Sequence, residues 1–182
     1  MPRRLSHLDD DGSARMVSVA SKEVTHRICV ARGEVRMAAA TLRQIAAGEV
    51  PKGDVIATAR LAGIQAAKRT ADWIPLAHPL PLDAVDIMLT PDTAGARVVI
   101  EARVEAHART GVEMEALVAV AAAGLTLYDM CKAIDRSMTL GAVRLMSKSG
   151  GKTGAWERPH DSDARTIPGS KPKRRAARGT ES

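Results

Sequence analysis

Val24, His26, Ile28 and Val30 alternate with Thr25, Arg27 and Cys29. With that period of two, the segment from Met16 to Met37 reads as strand-like. Gly33 marks a bulge or a turn in it. The pattern then changes. Residues 38–47 read as a short helix stopped by Gly48. After the loop 49–53, Asp54 is placed to cap a second, alanine-rich helix that contains Gly63 and reaches about Thr70. Trp73-Ile74-Pro75 ends it, because proline lacks the donor a helix needs. Pro75 to Pro81 is punctuated by prolines and is expected to be extended and rigid. Val85, Ile87 and Leu89 alternate, residues 91–95 form a turn, and Arg97 to His107 returns as a second strand. Thr110-Gly111-Val112-Glu113 has capping-box spacing. It opens a long helix to about Asp135 whose buried stripe is expected to be Met114, Leu117, Val118, Ala121, Leu125 and Tyr128. A last strand near Leu140 to Ser147 leads into the glycine-rich stretch from Lys148 to Gly154.

The order strand, helix, helix, two strands, helix, strand predicts an α+β fold: an antiparallel sheet with helices packed on one face. One folded domain spans 14–154, between a loose N-terminus (1–13) and a basic, disordered tail (155–182). The 182 residues suit that single domain. Aromatic residues make up 2% of the chain and phenylalanine is absent, so the core is built from Ala, Val, Leu, Ile and Met. Of the net charge of +6, half lies in the tail: from Ala155 onward there are seven Lys/Arg and four Asp/Glu, or +3. The overall charge therefore overstates how basic the folded body is. The apolar run Ala116–Leu125 is short of the ~20 residues that span a bilayer. Cys29 and Cys131 have no motif spacing, which fits a reduced, cytoplasmic setting.

The polar residues offer several candidates. Lys52 lies just before a helix N-terminus, where anions gather. A solvated loop lysine is the plainer reading. Lys68 and Arg69 end the alanine-rich helix and serve either its dipole or a phosphate. His78 sits among prolines that hold its backbone still, and histidine exchanges protons near neutral pH. The long helix carries Glu113 and Glu115 at its start and Asp129 and Lys132 near its end. Glu115 and Asp129 are two heptads apart and face the same way, yet about 21 Å separates them along an unbroken helix. If both serve one small substrate, the site lies between subunits. Ser149-Gly150-Gly151-Lys152-Thr153 is not a P-loop, because Met146 stands where the first glycine belongs. Lys148 and Lys152 can still clamp phosphate from a flexible loop. The five histidines are scattered and neither cysteine pairs with one at zinc-site spacing, so no metal site is expected.

Several stretches together resemble one family. They are Lys52-Gly-Asp-Val55, Ala57-Thr-Ala-Arg60, Ala62-Gly-Ile-Gln-Ala-Ala-Lys-Arg-Thr70, Ile74-Pro-Leu-Ala-His-Pro-Leu80, Arg109-Thr-Gly-Val-Glu-Met-Glu-Ala-Leu117, Leu127-Tyr-Asp-Met-Cys-Lys-Ala133 and Lys148-Ser-Gly-Gly-Lys152, in that order. The family is cyclic pyranopterin monophosphate synthase, the accessory protein C of molybdenum cofactor biosynthesis. The resemblance covers roughly residues 5–154.

The resemblance implies a lyase with a ferredoxin-like α+β fold, and makes 14–154 the catalytic domain. It implies a cyclised dihydroguanosine triphosphate as substrate, rearranged to a pyranopterin with a cyclic phosphate while diphosphate leaves. It places catalytic roles on Asp129, Lys52 and Lys132. It places substrate binding on Leu76, Ala77, His78, Met114 and Glu115, with Glu113 and Lys148 in the same pocket. A lysine beside an aspartate shuttles protons if burial lowers its pKa. No cofactor is implied; magnesium enters only as a counter-ion of the triphosphate. The implied assembly is a hexamer, a trimer of dimers with the site between subunits, without nucleic acid or membrane as partners. One departure stands out: Ala77 replaces the family's usual cysteine. A nucleic-acid-binding module is the competing class, weakly favoured by charge and disfavoured by the scarcity of aromatics for base stacking. A nucleotide-binding protein that has lost turnover is the other.

Overall fold

Nine elements follow one another in the computed structural model, which describes residues 11, 13–152 and 154–159. They are β1 (Thr25–Arg36), α1 (Ala39–Ala47), α2 (Val55–Ala67), α3 (Thr70–Trp73), β2 (Ala84–Asp92), β3 (Arg97–Ala108), α4 (Glu113–Cys131), β4 (Thr139–Ser149) and β5 (Trp156–Glu157). The strands form one sheet in the order β2-β3-β1-β4-β5, and every pairing is antiparallel. This is the expected α+β arrangement. With α1–α3 taken as one crossover, β1 to β4 succeed one another as β–α–β–β–α–β.

The core lies between one sheet face and the helices. Cys29, Ala31 and Val35 of β1 and Val98, Ile100, Ala102, Val104 and Ala106 of β3 share a buried cluster with Ala116, Ala119, Val120, Ala123, Leu127 and Cys131 of α4. With so few aromatics, this core fills by close approach of small side chains. Gly63 shows how close. A Cβ there would sit 2.9 Å from the Ala119 carbonyl oxygen of α4 and would meet the Ile87 Cδ1 of β2. Gly63→Val is therefore expected to lower stability by about 1–3 kcal/mol, read as a lower midpoint in thermal unfolding.

A second device fixes the start of α1. Its N-terminus has no side-chain cap of its own. Asp135, buried in the loop after α4, supplies one. Its carboxylate accepts from Ala38 N–H at 2.9 Å, from Thr41 Oγ1 at 3.1 Å, and from Ser137 Oγ at 2.6 Å and N–H at 2.9 Å. The Ser137 hydroxyl, then the Ala38 amide, hold this carboxyl down at about 2. A carboxyl whose folded pKa is depressed contributes stability at neutral pH and loses it as pH falls from about 4 toward 2. Asp135→Ala is expected to lower stability by about 3 kcal/mol at pH 7 by orphaning buried donors. It should also flatten the acid limb of the stability profile, measured by denaturant unfolding across pH.

Several sequence expectations are corrected. The first strand starts at Thr25 rather than near Met16, and its core face is Cys29, Ala31 and Val35, while Ile28 and Val30 stay half-buried. Gly33 does coincide with a register irregularity, between Arg32 and Glu34 in the β1–β4 ladder. The alanine-rich helix ends at Ala67, and Thr70–Trp73 forms a separate turn of helix. The Thr110–Glu113 capping box does not form: α4 starts on Val112 without a side-chain cap, because Glu113 turns to a lysine instead. α4 stops at Cys131, not Asp135. Its residues in the main core are 116, 119, 120, 123, 127 and 131; of the expected stripe, Val118 is buried against Ala66 and Ala122, Leu117 and Tyr128 pack half-buried on the core, Ala121 is half-buried, and Met114 and Leu125 are exposed. An alanine-rich helix is apolar on both sides, and periodicity alone cannot say which side meets the sheet. α4 reaches a mean hydropathy of 1.4 over an 18-residue window, and 61% of that window is buried in the fold, as in a core helix. Trp156 and Glu157 pair with β4, so ordered structure continues past residue 154. The rest of the tail, and the N-terminal segment except residues 11 and 13, lie outside the described residues.

Candidate functional site

α4 carries the chemistry at its two ends. At the C-terminal end, Asp129 sits between two ammonium groups. Lys52, from the loop between α1 and α2, donates from Nζ to Asp129 Oδ2 at 2.9 Å and to the Asp129 carbonyl oxygen at 2.9 Å. Lys132 Nζ lies 2.6 Å from Asp129 Oδ1, one helical turn on. All three side chains are about half exposed. Lys132 first, then Lys52, holds the Asp129 carboxyl down at about 2. In return the carboxylate pushes Lys132 above its usual range. The condition for a burial-activated lysine is therefore not met in this chain alone. Lys132 is exposed and keeps its proton, which makes it an acid rather than a base.

At the N-terminal end of α4, Lys148 of β4 reaches Glu113 at 2.9 Å. Glu115 lies two residues further along α4. It is only 3% exposed, and burial, with Glu113 adding like charge, pushes its carboxyl up to about 7. A cavity of about 240 Å³ is lined by Lys22, Leu76, Ala77, His78, Glu113, Met114 and Glu115, among others. It shares Lys22, Thr110, Gly111 and Glu113 with a larger cleft of about 910 Å³. The larger cleft is cationic: Lys22, Arg27, Arg109, Lys148 and Lys152 line it against Glu23 and Glu113. Gly151 lines it and follows Gly150 in the turn after β4. Gly150 and Gly151 have φ of 91° and 74°, in the left-handed region that glycine tolerates best. A Cβ on Gly150 would meet the His26 carbonyl oxygen, and one on Gly151 the Arg27 guanidinium. Gly151→Ala is expected to displace Arg27 and weaken ligand binding more than it lowers the unfolding midpoint, checked by titration with GTP beside thermal unfolding.

The structure thus gathers the expected residues into two sets. Lys52, Asp129 and Lys132 form one. Leu76, Ala77, His78, Glu113, Met114, Glu115 and Lys148 form the other. The sets occupy opposite ends of the 19-residue helix α4 and do not meet within one chain, since Glu115 and Asp129 are roughly 21 Å apart along it. Lys68 and Arg69 join His78 and Glu115 around a further cavity of about 230 Å³. Lys22 and Arg27 were not singled out from sequence. Arg27 reads there only as a polar position in an alternating strand, and its role appears once the loop at Gly150 folds against it.

The geometry offers an electropositive cleft for a polyphosphate, a nearly buried carboxyl that titrates near neutrality, and a carboxylate clamped by two ammonium groups. That equipment suits anion binding and proton transfer. The model of the MoaC family matches residues 16–151. A "Cyclic pyranopterin monophosphate synthase" of Pelotomaculum thermopropionicum is 58% identical over 154 residues, 85% of this chain and 91% of that protein. One of a Roseiflexus species is 60% identical over 150 residues, 82% and 95% of the two chains. One of Rhodospirillum rubrum is 57% identical over 152 residues, 84% and 92%.

Proposed function

The chain belongs to the MoaC family, and from that premise we propose that it is a lyase of molybdenum cofactor biosynthesis, converting 3',8-cyclo-7,8-dihydroguanosine 5'-triphosphate to cyclic pyranopterin monophosphate and diphosphate. One observation carries the reading. The carboxylate of Asp129 pairs with both Lys52 and Lys132, and the same helix begins at a cleft lined by Lys22, Arg27, Arg109, Lys148 and Lys152.

The chemistry divides accordingly. Forming the cyclic phosphate requires a substrate hydroxyl to attack the α-phosphorus, breaking the bond to the β-phosphate oxygen so that diphosphate departs. The cationic cleft stabilises the charge that gathers on the leaving diphosphate. Arg27 and Arg109 offer planar forks that match phosphate oxygens; Lys22, Lys148 and Lys152 add point charges. Opening and closing the purine-derived ring needs protons delivered and removed. Lys52 and Lys132 are the donors, and Asp129 keeps both in position. Leu76, Ala77, His78, Met114 and Glu115 wall the smaller cavity where the base rests. Ala77 lines it without a thiol, and the reading assigns no chemistry to that position.

The enzyme works in the cytoplasm as a hexamer, a trimer of dimers with each site between subunits. The separation of the two residue sets along α4 supports this. No resident cofactor is part of the reading; magnesium accompanies the substrate triphosphate. The test is to supply the cyclised nucleotide and follow phosphorus NMR. Growth of a diphosphate signal with the purified protein supports the reading. An unchanged triphosphate in the presence of folded protein refutes it.

A further inference from the structure

A regular strand turns successive side chains to opposite faces, so residues three apart look opposite ways. Leu145 and Lys148 of β4 break that rule. Leu145 stands opposite Ala31 and Lys148 opposite Cys29, and Ala31 and Cys29 both belong to the buried core. Leu145 and Lys148 therefore share the helix-facing side of the sheet. A slip of one residue in the ladder makes this possible. Val30 faces Ser147 and Ala31 faces Leu145, which leaves Met146 with no partner on β1. The extra residue is a β-bulge, a device that re-aims side chains next to active sites. Here it keeps Leu145 packed on the core while Lys148 reaches Glu113 at 2.9 Å and lines the cationic cleft. Without the bulge Lys148 would turn to the opposite face, since a slip of one residue reverses every side chain beyond it.

A bulge leaves its ladder locally broken, and the group that closes this one lies past the matched span of 16–151. β5 runs along the side of β4 away from β1, with Glu157 opposite Ser147 and Trp156 opposite Lys148. Arg158 follows β5 and is half-buried. Its backbone N–H donates to the carbonyl oxygen of the bulged Met146 at 2.7 Å. Its Nε donates to the carbonyl oxygen of Leu145, the residue before, at 2.8 Å. The guanidinium carbon lies 6.0 Å from the centre of the Trp156 ring, at the outer limit of a cation–π contact. One residue thus ties down both backbone carbonyls at the point where the β1–β4 register slips.

We propose that Arg158 is a positioning residue: by bonding Met146 and Leu145 it fixes the bulge that aims Lys148 into the cleft, and so sets how tightly the cleft holds a triphosphate. Arg158 does not line the cleft itself and acts through the backbone of β4. This rests on the reading of the cleft as the polyphosphate site, and adds a residue that governs it from the far side of the strand.

Titration of full-length variants with GTP tests it. Arg158→Ala removes the Nε donor and should weaken binding by about 3- to 10-fold, the range of one hydrogen bond. Arg158→Gln drops the charge but carries an amide N–H donor as far along the side chain as Nε, and should bind as wild type does. Unchanged affinity in Arg158→Ala, or a loss in Arg158→Gln as large as in Arg158→Ala, overturns the proposal. A double-mutant cycle with Lys148 is the sharper arm. In a Lys148→Ala chain, Arg158→Ala should cause no further loss, because no side chain is left to aim. Equal losses with and without Lys148 would assign Arg158 to the general integrity of the strand and refute the role. In turnover of the cyclised nucleotide the loss should fall on KM, with kcat near that of wild type. If the cycle shows the coupling and wild-type protein leaves the cyclised nucleotide unchanged, the catalytic reading fails and the positioning role stands. If wild-type protein takes up no GTP, the cleft is not a phosphate site and the role falls with it.

Discussion

Asp129→Ala should lower kcat by about 100- to 10,000-fold, the range that positioned proton transfer contributes, with KM little changed and the thermal midpoint near that of wild type. The carboxylate holds Lys52 Nζ at 2.9 Å and Lys132 Nζ at 2.6 Å. Without it both ammonium groups are free to move into solvent, and the donors lose their positions. Folding has little stake in the cluster, because all three side chains are about half exposed and surface ion pairs contribute little. Lys132→Ala should match the loss in kcat. Lys132→Arg should not rescue it, since a guanidinium gives up its proton far less readily. Steady-state kinetics beside thermal unfolding checks all three variants. A large fall in midpoint for Asp129→Ala would assign the cluster to stability instead.

The second large effect belongs to the cleft. Arg27→Ala and Lys148→Ala should each weaken substrate binding by about 10- to 100-fold, the worth of a hydrogen bond to a charged group. The loss should appear mainly in KM and shrink as salt rises, because the interaction is electrostatic. Lys148→Ala has a second consequence. It leaves Glu113 without its partner at 2.9 Å, adding an unpaired carboxylate beside the phosphates. Lys148→Ala should therefore bind GTP more weakly than Arg27→Ala, as titration calorimetry can show, and Glu113→Gln in the same chain should recover part of the affinity.

The sequence made the element order legible, since strand alternation and the Gly48 and Asp54 signals are local. It also carried Lys52, Asp129 and Lys132 through the family resemblance, and the structure joins those three side chains. Two things were out of reach. Which side of α4 faces the sheet is decided by tertiary packing, because alanines and valines occupy both sides. The capping box at Thr110 lost to a long-range partner: Glu113 bonds Lys148, 35 residues away, and no local pattern records that competition. Lys22 and Arg27 belong to the same class. Each is an ordinary surface cation until the turn at Gly150 and Gly151 folds against β1 and closes the cleft. Lys52 is the instructive middle case, because its local surroundings favoured a solvated loop lysine and the fold carries it 77 residues along the chain to Asp129.

The decisive measurement is the balance of products when wild-type protein consumes the cyclised nucleotide. Phosphorus NMR and mass spectrometry on one sample should find one diphosphate for every cyclic phosphodiester. Diphosphate accompanied by an open-chain monophosphate would mean that water, not a substrate hydroxyl, attacks phosphorus, and would contradict a site built to close that ring.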